Sequence, residues 1–240
     1  MLYNLFYNLF SMFPLTRMLM TQNYLGALGY AISIAVVVFF VLPFHEMAHA
    51  FTAYKLGDNT AKYMGRLTLN PLKHIDWIGA LMILLVGFGW AKPVPVNSRN
   101  FENPKRDMAI TAVAGPLSNL LAGFVSVILM SLVYYIFVPR AFGVLRIIAT
   151  VLYYLFLFVA QINVSLAVFN LIPIPPLDGS RLLTALLPNR IYYKIMQYER
   201  YIMLGLLFLL FTGILTRPLS YISSGILNVL IRLASLPFGG

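Results

Sequence analysis

Long runs without a charged residue are the feature that most constrains how this chain can fold. Three of them are Tyr24–Phe44, Met108–Val138 and Ile147–Leu177. A helix needs about 20 apolar residues to cross the ~30 Å hydrocarbon core of a bilayer. Only 10% of the residues are charged, against about 25% in a typical soluble domain. The chain is therefore predicted to be an integral membrane protein.

The distribution of basic residues predicts how the spans are oriented. Eight of the 17 lysines and arginines fall between Lys55 and Arg106, and short loops rich in Lys and Arg face the cytoplasm. The predicted spans cover about 26–54, 107–138 and 147–171. Weaker apolar segments at about 201–216 and 218–235, divided at Arg217-Pro218, predict a C-terminal helical hairpin. The predicted fold is an all-α polytopic membrane protein with a three-helix core.

The connection between the first two spans is predicted to be irregular. The run Trp77–Ala91 is short, which favours a re-entrant or surface placement over a full crossing. "GRLTLNP" predicts a short strand followed by a turn. "KPVPVNSRNF" alternates proline and valine, which favours an edge strand or hairpin.

The whole chain, 1–240, is interpreted as one domain without internal repeats. Its first 23 residues place Asn4, Asn8 and Ser11 on one helical face, which predicts an amphipathic interfacial helix that ends at Pro14. The predicted catalytic core covers 26–187, and the C-terminal hairpin covers 201–235.

Composition also excludes several functional classes. The chain has no cysteine, so disulfides and thiolate metal sites are excluded. The net charge of +10 comes from residues that flank apolar segments, which indicates orientation and contact with anionic lipid headgroups. No basic patch with a nucleic-acid-reading module is present, so nucleic acid is not a predicted partner.

The stretch "HEMAH" places two of the three histidines of the chain around a glutamate. His45 and His49 are four residues apart, so both imidazoles share one face of a helix and can reach one ion. This H-E-x-x-H pattern is typical of zinc sites in which the glutamate, here Glu46, acts on the water. A pair of core histidines is the alternative, but polar groups at membrane depth each need a partner.

A third ligand has to come from elsewhere, because a catalytic zinc usually has three protein ligands. Asp178 in "NLIPIPPLDGSR" is the best candidate, since the uncharged run before it would return the chain to the leaflet of His49. Its alternative role is to cap the helix 180–187. Asp76 in "KHIDWIG" is the second candidate.

Two asparagines are candidates for holding the substrate backbone or polarising a carbonyl. Asn119 belongs to "AGPLSNLLAG", where it shares a close-approach helical face with Gly115 and Gly123. Asn170 lies eight residues before Asp178. Interhelical hydrogen bonding is the simpler role for both, and Asn119 is favoured for that role.

Five motifs together resemble the site-2 protease family of intramembrane zinc metalloproteases: "HEMAHA", "NPLKHIDWIG", "GWAKPVPVN", "AGPLSN" and "FNLIPIPPLDGSR". They occur in family order over about 32–187, and the resemblance is strongest to small bacterial members without a PDZ domain. It implies a three-helix core, one zinc ion on His45, His49 and Asp178, Glu46 as base, and a role for Asn170 near the site.

The predicted activity is hydrolysis of peptide bonds in or near transmembrane segments of other membrane proteins, in a bacterial cell membrane with the site toward the cytoplasm. A catalytically inactive zinc-binding adaptor is the alternative, but a binding site alone has no need of Glu46. A metal transporter is disfavoured because the second and third spans carry no ionisable residue before Asp178.

Overall fold

The computed structural model describes residues 14–86 and 89–238, and these residues are overwhelmingly helical. The α-helices are Pro14–Met20, Tyr24–Val36, Leu42–Lys55, Thr60–Tyr63, Pro71–His74, Trp77–Val86, Pro104–Leu132, Val144–Asn170, Leu183–Leu186, Asn189–Met196, Glu199–Phe211 and Thr216–Ser235. Two π-helical turns, Val37–Val41 and Val133–Phe137, and four 3-10 turns, Ser98–Asn100, Val138–Arg140, Asp178–Leu182 and Leu236–Phe238, complete them.

Within the described residues, four continuous helical segments are long and apolar enough to cross a membrane. We call them span 1 (Tyr24–Lys55), span 2 (Pro104–Arg140), span 3 (Val144–Asn170) and span 4 (Thr216–Phe238). Spans 1, 2 and 3 pack against one another, and span 4 lies against spans 2 and 3. The prediction of an all-α polytopic membrane protein with a three-helix core is confirmed.

The distribution of side chains is that of a protein in lipid. Large apolar side chains such as Phe40, Leu117 and Phe137 face outward and are exposed, whereas Asn119 and Asn163 are fully buried between the spans. Exposed apolar surface of this extent is unstable in water and suits the hydrocarbon core of a bilayer.

Each of the two π-helical turns lies just ahead of a proline. In span 1, Leu42 donates its N–H to the carbonyl of Val37, one residue further back than in an α-helix. Pro43 has no N–H to offer the preceding turn, so the regular ladder cannot continue there. Span 1 therefore departs from a regular α-helix just before Pro43, in the form of this wider turn. Val133–Phe137 stands in the same relation to Pro139.

The two predicted strands are wrong, since the described residues contain no strand and therefore no PDZ domain. In "GRLTLNP", Nε2 of His74 donates a hydrogen bond of 2.8 Å to the carbonyl oxygen of Thr68, so that carbonyl is not available to a sheet. In "KPVPVN", the bonded N–H groups donate to the His74 carbonyl and to the carboxylates of Glu46 and Asp58, and not to a neighbouring strand. Residues 91–97 run without helix or strand instead.

Three other segments refine the predictions. The helix Trp77–Val86 has 10 residues and is about 15 Å long, half of what a crossing requires. The C-terminal helices Glu199–Phe211 and Thr216–Ser235 are separated before Arg217, at a turn that includes Gly213 with φ of 78°. The first described helix is Pro14–Met20; the predicted interfacial helix that ends at Pro14 lies outside the described residues.

Candidate metal centre

The structure brings three metal-binding side chains from distant parts of the chain to one point. His45 and His49 lie one turn apart on span 1 with their Nε2 atoms 3.1 Å apart. Oδ2 of Asp178 lies 3.2 Å from each of these nitrogens. The histidine side chains are 8% and 9% exposed and that of Asp178 is 25% exposed, so the cluster opens on the Asp178 side.

Asp178 reaches the histidines because the chain turns back tightly after span 3. Its 3-10 turn, Asp178–Leu182, packs against span 2. A Cβ atom on Gly179 would lie 2.4 Å from the carbonyl oxygens of both Leu171 and Ile172, a distance that real Cβ contacts do not reach. Only glycine fits between this turn and the end of span 3.

Gly115 of span 2 lies against the two imidazoles. A Cβ atom at this position would lie 2.2 Å from His49 Nε2 and 2.6 Å from His45 Cε1. Further along the span, a Cβ on Gly123 would lie 3.3 Å from Val164 of span 3. The small-residue face predicted from "AGPLSNLLAG" therefore makes close contact with span 1 at one end and span 3 at the other.

A backbone contact sets the tautomer of one imidazole. His49 Nδ1 lies 2.7 Å from the carbonyl oxygen of Thr111, in span 2. Since a carbonyl only accepts, Nδ1 carries the proton and donates, which leaves the Nε2 lone pair directed at His45 and Asp178. Metal-bound histidines are usually oriented by such a second hydrogen bond.

The cluster fits a tetrahedral zinc site. With zinc–nitrogen and zinc–oxygen distances of about 2.0–2.2 Å, tetrahedral ligand atoms lie about 3.3–3.6 Å from one another. The three atoms here are separated by 3.1–3.2 Å. Two imidazoles and a carboxylate are also a donor set that catalytic zinc uses. His45, His49 and Asp178 can therefore hold a metal ion after shifts of a few tenths of an ångström.

Glu46 lies beside this cluster and contacts a different element. Its Oε2 accepts a hydrogen bond of 2.8 Å from the backbone N–H of Val94. Val94 belongs to the segment 91–97, which we call the strap. The strap therefore passes over the carboxylate that the sequence assigns as the base.

Residues outside the metal cluster anchor the strap at both ends. At one end, Lys92 donates its N–H to the carbonyl of His74 at 2.8 Å and accepts from Arg66 Nη2 at 2.5 Å. At the other end, Asp58 accepts hydrogen bonds of 2.7 Å from the N–H of Asn97 and the side-chain amide of Asn100. Lys92 and Asn97 are thus fixed independently of Glu46.

Asp58 is held in its ionised form by its hydrogen bonds. Burial alone would raise the pKa of this carboxyl. The donors Thr60, Asn97 and Asn100 outweigh that effect and hold the pKa of Asp58 below its usual value. The anchor at this end of the strap is therefore charged at neutral pH.

His74 is fully buried and is held neutral. Burial lowers its pKa, and the neighbouring Arg66 lowers it further, although the hydrogen bond to the Thr68 carbonyl opposes both. Below about pH 6.5, the unfolded chain binds a proton at this residue that the folded protein does not. The free energy of unfolding should therefore fall as the pH falls.

This pH dependence is measurable as a difference in thermal stability between wild type and His74→Gln in detergent. Glutamine can still donate to Thr68 but does not titrate. The stability of wild type relative to the variant should be greatest near pH 7.5 and should decline toward pH 5.5. A difference that stays constant over this range would show that His74 is not held neutral.

The remaining candidate residues lie elsewhere. Asp76 caps the helix Trp77–Val86, accepting from the N–H groups of Ile78 and Gly79 at 3.0 and 2.9 Å, and it is outside the metal cluster. Asn119 is fully buried and its amide atoms have no hydrogen-bond partner among the described residues. Asn170 is the last residue of span 3 and is partly exposed.

Sequence reasoning did not find the strap's contact with Glu46 or its anchors. The backbone N–H of Val94 leaves no signal in a sequence. Asp58 and Arg66 are charged residues that the structure buries, and their residue type alone does not predict that burial. The nearest available signal was the alternation of proline and valine from 93 to 96, which indicated an extended segment.

Comparisons with known proteins agree with this site. The model of peptidase family M50 matches residues 33–212. The chain is 42% identical over 198 residues to "Putative zinc metalloprotease YwhC" of Bacillus subtilis, covering 81% of this chain and 84% of that protein. It is 33% identical over 144 residues to "Putative zinc metalloprotease MJ0611" of Methanocaldococcus jannaschii, covering 58% and 63% respectively.

A further relative is "Putative zinc metalloprotease Rip2" of Mycolicibacterium smegmatis, 33% identical over 140 residues, which cover 56% of this chain and 49% of that protein. No solved structure matches the chain. The family match includes both histidines of span 1, Glu46 and Asp178, the residues that the fold brings together. The chain is a zinc metallopeptidase and belongs to peptidase family M50, the site-2 protease family.

Proposed function

We propose that this protein is an intramembrane endopeptidase that uses one zinc ion per chain to hydrolyse peptide bonds within or near transmembrane segments of other membrane proteins. The observation that carries the proposal is the position of Glu46. It lies between two residues of a three-ligand cluster on a membrane-spanning helix. A site that only stored metal would have no use for a carboxylate there.

Each residue of the site has a separate role in the proposed hydrolysis. His45, His49 and Asp178 would hold the zinc, which supplies Lewis acidity to a carbonyl and lowers the pKa of water. Glu46 takes the proton from the attacking water and delivers it to the leaving amine. Asn119 and Asn170 are the candidates for holding the substrate backbone or polarising the scissile carbonyl.

A cavity among spans 1, 2 and 3 has the apolar lining that a transmembrane substrate requires. It has a volume of about 340 Å³ and is lined by apolar side chains of spans 1, 2 and 3, including Phe44, the neighbour of His45. The cavity can therefore receive apolar side chains of a transmembrane substrate.

The strap is the element that we expect to hold such an unwound segment, by edge pairing. Its Val96 N–H has no acceptor among the described residues and is free to donate. Val96→Pro removes this donor and should weaken binding of an extended transmembrane peptide about 3- to 10-fold, the value of one hydrogen bond. The measurement is peptide affinity in detergent with Val96→Ala, which keeps the N–H, as the matched control. Equal affinities of the two variants would contradict strap pairing.

The setting that we propose is a bacterial cell membrane with the site toward the cytoplasm. The basic residues between the first two spans support this orientation. The partners would be the lipid bilayer and a transmembrane protein substrate, without nucleic acid.

The direct test uses the purified protein in detergent and a library of transmembrane peptides, with products identified by mass spectrometry. We expect cleavage at bonds inside the apolar segment or within a turn of its end. Metal binding without any cleavage would favour the alternative function, a zinc-binding adaptor without catalytic activity.

A further inference from the structure

The strap has few backbone donors, and most of them are already used. Pro93 and Pro95 have no N–H. The N–H of Lys92 goes to the His74 carbonyl, and that of Asn97 goes to Asp58. The N–H of Val94 goes to Glu46. Only Val96 and the first residue, Ala91, keep an N–H without an acceptor among the described residues.

This shortage limits how a substrate can pair with the strap. A peptide that adds to a strand edge needs donors at alternate positions, because successive residues point to opposite sides. On this strap the alternate donors are those of residues 92, 94 and 96. The donor of Lys92 belongs to the anchor, so a peptide that pairs over more than one residue needs both Val94 and Val96. It can use Val94 only if Glu46 gives up its hydrogen bond.

We propose that the hydrogen bond from Val94 to Glu46 is a latch: it holds the base in the absence of substrate, and an extended substrate strand releases it by taking the Val94 N–H. Val94 is thereby a positioning residue for the base. The proposal rests on the proposed function. Capture of an unwound strand and release of Glu46 are then one event. A peptide that does not pair with the strap leaves the hydrogen bond from Val94 to Glu46 in place.

The anchors confine this change to the Glu46 side chain. Arg66 and His74 fix the strap at Lys92, and Asp58 fixes it at Asn97. The backbone between them is further restricted by Pro93 and Pro95. An incoming strand therefore meets a rigid edge, and the mobile partner of the Val94 N–H is the carboxylate.

The first test compares two substrates with Val94→Pro, which removes the N–H. One is a transmembrane peptide that can pair with the strap, and the other is a peptide of about four residues that cannot. Relative to Val94→Ala, which keeps the N–H, the variant should cleave the short peptide about fivefold faster because Glu46 is free. It should cleave the transmembrane peptide more slowly because a pairing donor is lost.

Opposite changes for the two substrates are the signature of a latch. A purely structural contact, or one that keeps Glu46 in its active position, would lower both rates together. A decrease for both substrates in correctly folded Val94→Pro would therefore overturn the proposal.

A second test needs no turnover and uses the metal-free wild-type chain. Nuclear magnetic resonance of ¹⁵N-valine-labelled protein reports the Val94 amide, whose signal is identified by its absence in Val94→Ala. Glu46→Ala gives the signal of the amide without its carboxylate partner. A bound extended peptide should move the wild-type signal and should give nearly the same Val94 signal in wild type and Glu46→Ala. Binding that leaves the wild-type signal in place would show that the latch stays closed.

The two tests also separate this inference from the proposed function. A wild type that cleaves neither peptide would contradict the proposed peptidase. The magnetic resonance result would still show whether a bound peptide breaks the hydrogen bond from Val94 to Glu46. Cleavage of both peptides by wild type with no opposite response in Val94→Pro would contradict the latch alone.

Discussion

Glu46→Gln should abolish cleavage of a transmembrane peptide while leaving the metal in place. A general base contributes about 10²- to 10⁴-fold to the rate, so we expect a fall of about 10³-fold or more. In wild type, the Val94 N–H donates to Oε2 of Glu46 at 2.8 Å. Glutamine has the shape of glutamate, and its side-chain oxygen can accept the same hydrogen bond. The variant thus removes the proton acceptor and preserves the strap.

The measurement pairs product formation with zinc content for the same preparation. Because Glu46 contributes no atom to the cluster of His45, His49 and Asp178, the zinc content of the variant should equal that of wild type. A variant that keeps wild-type activity would show that Glu46 is not the base. Loss of both zinc and activity would show that Glu46 is needed for zinc binding instead.

Gly115→Ala should remove the metal without touching a ligand. The added Cβ would lie 2.2 Å from His49 Nε2 and 2.6 Å from His45 Cε1, so both imidazoles must move. They are enclosed, with side chains 8% and 9% exposed, and His49 is also tied to Thr111 at 2.7 Å. Moving any ligand changes a geometry that zinc holds to within about 0.2 Å. We expect zinc content and activity to fall about tenfold or more.

Gly123→Ala is the matched control because it adds the same methyl group two turns further along span 2. There the nearest atoms are Val164 Cγ2 at 3.3 Å and Asn163 Cβ at 3.4 Å, both in span 3. Small shifts of these side chains relieve the contact, and the metal site is not involved. Equal zinc contents in the two alanine variants would mean that Gly115 does not have to be small for the site to form.

The parts of the fold that follow from local sequence were predictable. Spans 1 to 3 are marked by uncharged runs because lipid excludes charge along the whole crossing. His45 and His49 meet because four residues make about one helical turn. Asp178 was predictable only as a candidate: Asp76 lies much closer in sequence, and the choice depends on where span 3 ends.

The irregular connection between spans 1 and 2 was not predictable from its residues. Proline and valine indicated an extended segment, and the structure has one, but its bonded N–H groups donate to the His74 carbonyl and to the carboxylates of Glu46 and Asp58, so the expected strand does not form. Which carbonyl or carboxylate receives each remaining N–H depends on tertiary contacts. Arg66 and Asp58 are 8 and 39 residues from the partners they hold, His74 and Asn97, and such pairings leave no local pattern.

The most direct test of the central claim is the dependence of cleavage on bound zinc. The purified protein is stripped with a chelator, and cleavage of one transmembrane peptide is followed as zinc is returned. The arrangement of His45, His49 and Asp178 predicts that stripping abolishes cleavage and that one zinc per chain restores it. Cleavage that continues in the metal-free protein would contradict the account.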